Sequence, residues 1–359
     1  MTTLYLIRHA EAEGNLYRRC HGHYDSTITD RGYRQIAALL RRFRDVPVDA
    51  VYASDLTRAR TTAMAITYPR GLSLRADERL REIGVGPRWE DRTWMWLERF
   101  DGERLARFNT DLASWHTEGG QDVDTVRDRM LAALGDIAAE NPDKTVAVVS
   151  HGMALRTVLG TLQGLSLHEI DRTGHAENTA VAKLEADEDG IRVLWRDDAS
   201  HLPEGLVTLR KQLWIRSRNG FEPGIWFAPD APDRFRVMLG DEAAGAVAIR
   251  AAGSEAELTE LFLDVAAQGR GMGIRLLGQA VSRARALGCD RLHASVRRRG
   301  EKGLHCMKSY GFTETGATPE AVSLSKYFGY DEGYRVKKLE EALEETTGGR
   351  EQDRRQEGT

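Results

Sequence analysis

The chain has 359 residues, 41% of them hydrophobic, and a net charge of -4 from 51 basic and 55 acidic side chains. That length exceeds one ordinary core and implies two domains. The charge balance leaves no nucleic-acid footprint, and no apolar run approaches the roughly 20 residues of a membrane span. An apolar strand starting at Thr3 leaves no room for a signal peptide. The three cysteines, Cys20, Cys289 and Cys306, form no CxxC pair and fit a reduced cytoplasmic protein.

Up to about Leu202, short apolar runs alternate with amphipathic stretches. Strands are predicted at Thr3–Ile7, Ala50–Tyr52, Thr145–Val149, Ala180–Leu184 and Ile191–Trp195. Helical periodicity covers Gly32–Arg44, Arg58–Thr67, Val123–Glu140 and Ala154–Leu162. This alternation predicts an α/β domain over 1–202, with a parallel sheet covered on both faces. Pro203–Gly205 marks the boundary. A hairpin over Arg234–Leu239 and Gly245–Arg250 follows, then a strand at Leu258–Leu263 and a glycine loop. A helix at Ile274–Leu287, a strand at Arg291–Val296 and a second helix complete a domain over 203–338. Val336–Glu345 reads as a last helix. From Thr346 no apolar residue remains, so 346–359 is expected to be disordered.

Two histidines follow apolar strands, in Leu6-Ile7-Arg8-His9-Ala10-Glu11 and Val148-Val149-Ser150-His151-Gly152. Strand ends are where open α/β sheets build sites, and adjacent helix N-termini attract phosphate. A phosphate dianion needs cationic donors, a nucleophile and an acid for the leaving group. Arg8 and Arg58 supply guanidinium forks, His9 and His151 imidazoles, and Glu82 a carboxyl. Neutral His9 can attack phosphorus through one ring nitrogen if a backbone carbonyl holds the other. His21 and His23 have no third ligand at useful spacing, so no metal site is expected, and they are expected to rim the substrate mouth. Trp89, Trp94 and Trp96 read as core or lid packing.

These residues, with Asn15, Gly22, Ile28–Gly32, Ser54–Arg58 and Asn178 in order, resemble the histidine phosphatase superfamily, which has the phosphoglycerate-mutase-like α/β/α sandwich. The resemblance covers nearly all of Thr2–Leu202. It implies a phosphohistidine on His9, a pocket of Arg8, Arg58 and His151, Glu82 as proton donor, Asn15 and Gly22 at the substrate, and no cofactor or metal. Ala10 and Asp91 stand where the family commonly has glycine. The long insertion of the glycolytic mutases is missing, which favours a phosphatase over a phosphomutase.

In the second half, Gln268-Gly269-Arg270-Gly271-Met272-Gly273 follows a strand and opens a helix. Its glycines let backbone amides approach a pyrophosphate. It comes too late in its domain for a dinucleotide fold, and no GxxxxGK[ST] loop exists. With Tyr310-Gly311-Phe312 after the next helix, this half resembles a GNAT-family N-acyltransferase, an α+β fold with a mixed, mostly antiparallel sheet. The resemblance implies acetyl-CoA bound by Gln268–Gly273 and by the strand edge at Glu260–Leu263, with Leu263 in contact. The family's proton-donating tyrosine falls at Met307. Tyr310 reads as core, and Glu260 as a candidate base or a structural charge.

The leading expectation is a cytoplasmic bifunctional enzyme. It would hydrolyse a small phosphomonoester and acetylate a small amine, without nucleic-acid or membrane partners; a homodimer is left open. One alternative is a phosphatase whose second half only binds acyl-CoA or serves as an interaction module. The other is a phosphomutase.

Overall fold

A computed structural model describes residues 1–212 and 224–356. Expectations falling on 213–223 and 357–359 lie outside the described residues. In the first half the elements are β1 (Thr2–Arg8), α1 (Glu13–Tyr17), α2 (Asp30–Arg42), β2 (Ala50–Ala53), α3 (Thr57–Arg70) and β3 (Leu74–Ala76). They continue with α4 (Trp94–Thr110), α5 (Val123–Glu140), β4 (Thr145–Ser150), α6 (Gly152–Leu162), β5 (Val181–Asp187) and β6 (Gly190–Asp198).

These strands form one sheet in the order β3-β2-β4-β1-β5-β6. Its first four strands run parallel, and alternate residues face opposite cores. Leu4, Leu6, Val146 and Val148 pack with α5 and α6, whereas Ile7, Ala147 and Val149 pack with α2 and α3. An α/β/α sandwich results, as expected. The last two strands correct the all-parallel expectation, since β5 and β6 pair antiparallel. Only the two-residue turn Glu188-Asp189 joins them, and parallel pairing needs a crossover of a dozen residues or so.

The second half holds β7 (Ile225–Ala231), β8 (Arg234–Leu239), β9 (Glu242–Ala252), β10 (Glu255–Leu263), α7 (Gly273–Ala286), β11 (Arg291–Arg297), α8 (Glu301–Ser309), β12 (Thr313–Ala317), β13 (Ala321–Tyr327) and α9 (Glu332–Gln356). Its sheet is ordered β12-β13-β11-β10-β9-β8-β7. Among the described strands of this sheet, only the β10–β11 pair is parallel.

The two halves interlock. Leu16 and Tyr17 of α1 pack in the second core. Conversely α9 returns to the first unit, with Leu339 and Ala342 buried in the core beneath α2 and Lys338 paired to Asp30 at 3.1 Å. The backbone of 346–356, expected to be disordered, continues α9 as helix. The Glu, Gln and Arg residues of this stretch favour helix, whereas Thr346-Thr347-Gly348-Gly349 at its start oppose it.

Candidate functional site

The register of β1 on β4 decides the first site. Arg8 lies opposite Ser150, and the His9 amide donates to the Ser150 carbonyl at 2.9 Å. The next residues on both strands, His9 and His151, are thereby neighbours, with ring centroids 5.2 Å apart. The two rings hold opposite tautomers. His9 Nδ1–H donates to the Ala10 carbonyl at 2.7 Å, which leaves Nε2 with a lone pair. His151 Nδ1 accepts from Arg58 Nε at 3.2 Å, which puts its proton on Nε2. Burial, then the nearby Arg58 and Arg8 guanidiniums, hold His9 far below its ordinary pKa. Burial, then Arg58 and His9, do the same to His151. Both rings are therefore neutral at pH 7.

Two donors beside His9 are buried without partners, His151 Nε2–H and Arg8 Nε–H. Such groups are rare in folded proteins and point to an absent acceptor. Arg8 lies against Gly152, where a methyl would come within 3.2 Å of Nε, and its other end donates to the Ala176 carbonyl. Arg58 is fixed by the Gly22 and Tyr24 carbonyls at 2.8 and 2.9 Å.

Glu82 corrects one expectation. The first-turn amides of α6 do not wait for phosphate. Met153 N–H and Ala154 N–H donate to the Glu82 carboxylate at 3.1 and 2.9 Å, and Ile83 N–H adds a third bond at 3.0 Å. About one of the carboxylate's four lone-pair sites remains. Arg8, His9, Asn15, Gly22, Arg58 and Glu82 all line a cavity of about 660 Å³. Asn15 accepts from the Ala12 amide at 3.1 Å and from Asn178 at 3.4 Å.

The second site is a split in the sheet. β10 and β11 pair only from Glu255–Glu257 to Arg291–His293. Beyond that point β10 runs on to Leu263 and β11 to Arg297, so the strands diverge. A register shift at Leu258–Glu260 accompanies the split. The loop after β10 turns through Gly269 and Gly271, both left-handed with φ of 75° and 72°, and enters α7. A Cβ on either would meet nothing within 4 Å, so the loop presents bare backbone to open space. Gln268 Nε2 donates to the Leu263 carbonyl at 2.8 Å and ties the loop to the strand edge. Arg270 is exposed in the same loop, whereas Met272 is buried in the core.

The histidine phosphatase superfamily (branch 1) matches residues 4–199, and the acetyltransferase (GNAT) family matches residues 191–312. The chain belongs to the histidine phosphatase superfamily. It carries a GNAT acetyltransferase domain behind the phosphatase domain. The chain is 30% identical over 220 residues to the probable phosphoglycerate mutase GpmB of Erwinia tasmaniensis, covering 57% of this chain and 96% of that protein. It is 27% identical to phosphoserine phosphatase 1 of Hydrogenobacter thermophilus, over 59% of this chain and all of that one. The solved structure of Bacillus stearothermophilus YhfR superposes with a TM-score of 0.54 at 31% identity, over 56% of this chain and 99% of that chain.

The geometry sorts the remaining candidates. His21 lines the phosphatase cavity and contacts Ser26 Oγ at 3.1 Å. His23 contacts the Glu82 carbonyl at 2.8 Å. Among the described residues, no group of three or more His, Cys, Asp or Glu is arranged to hold a metal. Trp89 is buried with Nε1–H donated to Asp101, Trp94 lines the cavity, and Trp96 stacks under Arg92. In the GNAT domain Glu260 is clamped by Arg234 at 2.7 and 3.2 Å, Met307 is buried in the core, and Tyr310 packs half-buried against it. All three cysteines are free. No helix among the described residues is long and apolar enough to cross a membrane.

One of the two departures from the phosphatase pattern acquires a reason. Ala10 is fully buried, and its carbonyl is the one that fixes His9. Asp91 keeps the left-handed backbone (φ 55°) that suits glycine, yet its carboxylate binds Arg19 at 2.6 Å and Ser282 of α7. Arg19 in turn donates to Gln279 and Ser282, both at 3.1 Å. Asp91 is thus part of the joint with the GNAT domain. Sequence reasoning missed the buried Glu177, which accepts the amides of Thr208 and Leu209 at 2.9 and 2.7 Å and pins the chain leaving the phosphatase domain. It also missed Ala176, whose carbonyl holds Arg8.

Proposed function

We propose that the phosphatase domain hydrolyses a small phosphomonoester through a phosphohistidine on His9. The observation that carries this reading is the pair of buried, partnerless donors on His151 and Arg8 beside a histidine whose Nε2 is free. His9 Nε2 attacks phosphorus, and the bond from phosphorus to the ester oxygen breaks. A proton carried on the one lone-pair site of Glu82 that the three amides leave open passes to the departing oxygen. Water then attacks the phosphohistidine, Glu82 takes back a proton, and inorganic phosphate leaves with His9 restored. Arg8, Arg58 and His151 Nε2–H neutralise the charge on the equatorial oxygens. The absence of a long insertion favours transfer to water over transfer to a second alcohol. The test is rapid-quench labelling with a radiolabelled phosphate ester. An acid-labile label on wild type that vanishes in His9→Ala supports the reading, and a label persisting in His9→Ala overturns it.

We propose further that the GNAT domain binds acetyl-CoA. The split between β10 and β11 and the bare glycine loop fit it, with the Gln268–Gly273 amides facing the pyrophosphate at the start of α7 and the Leu263 edge along the pantetheine arm. When bound, it supplies an activated acetyl group for a small amine. This chain offers that amine little help. Glu260 is clamped by Arg234, and Met307 occupies the position of the family's acid. Those two residues favour a second reading, a domain that binds acyl-CoA with slow or no turnover. Calorimetry with acetyl-CoA combined with an acyl-transfer assay separates them, since binding without turnover on any amine selects the second.

A further inference from the structure

Residues 81–86, which carry Glu82, form neither helix nor strand. Side chains from other elements hold the backbone there instead. Ser150 Oγ of β4 donates to the Leu80 carbonyl at 2.8 Å. Arg129 of α5 takes the carbonyls on both sides of it. One terminal nitrogen donates to Arg79 and Arg81 at 2.6 and 2.7 Å, and the other to Glu82 at 2.8 Å. That second nitrogen also donates to Gln121 Oε1 at 3.2 Å, and the same oxygen accepts the Gly84 amide at 3.1 Å. His23 Nε2 reaches the Glu82 carbonyl as well, at 2.8 Å. Carbonyls outside a ladder or helix need other donors, and one guanidinium with its donors in a fixed fork serves three of them.

This clamp is costly. The Nε of Arg129 is buried without a partner. Burial pulls its pKa down to about 10, against the opposing charge of Glu82, so the guanidinium stays charged at pH 7. A cation drawn out of water onto carbonyls, with no carboxylate bound to it, lowers stability. Such costs collect at functional sites. Arg129 does not line the His9 cavity, so it acts on a substrate through Glu82 and not by contact. The head of Glu82 is held separately, by the amides of Met153 and Ala154 at the start of α6. Glu82 is thus fixed at its backbone by α5 and at its carboxylate by α6, which leaves its open oxygen site a single direction.

We propose that Arg129 is a positioning residue of the phosphatase site, which holds the 79–82 backbone so that the open oxygen site of Glu82 meets the ester oxygen of the substrate. The proposal rests on the phosphatase reading above, with Glu82 as proton donor. Proton transfer needs donor and acceptor within hydrogen-bond reach. A small shift of this backbone therefore costs the transfer, while phosphate binding by Arg8, Arg58 and His151 stays in place. The loss of Arg129 is felt where the leaving group takes its proton, and esters whose alcohol departs readily without one are spared.

The test uses the full chain and a graded series of esters, from p-nitrophenyl phosphate through phenyl phosphate to alkyl phosphates. It reads kcat/KM, which reports the steps up to departure of the alcohol. Arg129→Met should lower kcat/KM about tenfold or more on alkyl phosphates and about threefold or less on p-nitrophenyl phosphate. The inhibition constant of inorganic phosphate should stay as in wild type. Arg129→Lys, which keeps the charge but serves fewer carbonyls, should fall between wild type and Arg129→Met. Placed in Glu82→Gln, Arg129→Met should add little further loss on alkyl esters, because the clamp then holds no acid. An equal loss on every ester, or an undiminished loss in the Glu82→Gln background, shows a purely structural role and overturns the proposal. So does a variant that matches wild type throughout. Should Arg129→Met fail to fold, Arg129→Gln, whose amide still serves one carbonyl, carries the same comparison. If wild type hydrolyses none of the esters, p-nitrophenyl phosphate included, the phosphatase reading itself fails. That result is distinct from hydrolysis whose leaving-group dependence is the same with and without Arg129, which removes the role of Arg129 alone.

Discussion

The site around His9 and the GNAT cleft proposed for acyl-CoA are built on opposite principles. The first is a buried set of side chains whose protons are fixed by neighbouring carbonyls and guanidiniums. The second is backbone: a split between two strands and two left-handed glycines facing open space. Side chains that are the chemistry fail when any one is removed. A backbone cradle tolerates most side-chain changes and fails only where the chain can no longer take the required shape or charge. Substitutions in the two sites should therefore have unequal effects.

The largest effect is expected at His9. His9→Ala removes the proposed nucleophile while Arg8, Arg58 and His151 remain, and phosphatase kcat should fall by about a thousandfold or more. Steady-state assays on p-nitrophenyl phosphate measure it. A fall of only a few fold would mean that the buried donors, and not His9, carry the reaction. Glu82→Gln should be milder on esters with good leaving groups than on alkyl esters, because only the latter need the proton.

The same burial makes the first site sensitive to pH. His9 and His151 are buried and His21 is half-buried at the cavity wall, and desolvation is the leading cause holding each well below its ordinary pKa. The unfolded chain takes up protons on these rings below about pH 6.5, whereas the folded protein does not. Stability is therefore complete above about pH 6.5 and falls as the pH drops below it. Each ring contributes up to about 1.4 kcal/mol per pH unit. Urea midpoints between pH 7.5 and 5 check this, and replacing His21 by Gln should flatten the slope. A midpoint that is level over that range would contradict the buried, neutral assignment. The GNAT cleft contains no such rings and should contribute little to the slope.

Between the sites lies a joint, and Asp91 tests it. Asp91→Gly removes the partner of a buried guanidinium, which costs about 3 kcal/mol, and relieves a left-handed backbone worth about 1 kcal/mol. A net loss of about 2 kcal/mol in denaturant unfolding is expected. Asp91→Asn, which keeps the backbone as it is, should lose more than Asp91→Gly. The reverse order would show that the hydrogen bonds to Arg19, which asparagine keeps in part, outweigh the relief of backbone strain at this position.

How much of this could be read from the sequence also differs between regions. β1, β4 and α5 stand out because burial stamps a strong pattern on them, and the two strand-end histidines needed only those strands to be brought together. α4 left little signal, since only Leu97 and Phe108 of its 17 residues are buried. β7 contains Pro229 and reads poorly as a strand. The return of α9 onto α2, the grip of Arg129 on the 79–82 backbone and the pairing of Asp91 with Arg19 had no local signature at all. Each depends on how two distant segments dock, and neither periodicity nor a motif encodes that. Glu82 was legible as a site residue, but its bonds to the α6 amides were not.

The smallest effect, and the sharpest probe of the comparison, is expected at Gly271. Its φ of 72° is one that side-chain-bearing residues adopt with strain. A Cβ there would touch nothing within 4 Å, so bulk alone is not the obstacle. Gly271→Glu combines the conformational penalty with a carboxylate set against the expected pyrophosphate. Acetyl-CoA affinity should fall about tenfold or more, where tenfold corresponds to about 1.4 kcal/mol. Gly271→Ala carries only the conformational part and should lose less. Turnover of p-nitrophenyl phosphate should be the same in both variants as in wild type, because the loop lines no part of the His9 cavity. Calorimetry on the three proteins decides among the outcomes. Equal losses for Ala and Glu would say that the loop holds no anion and acts only through its shape. No heat with wild type at millimolar acetyl-CoA would say that the cradle binds nothing of this kind, and the contrast between a side-chain site and a backbone site would then reduce to a phosphatase joined to a scaffold.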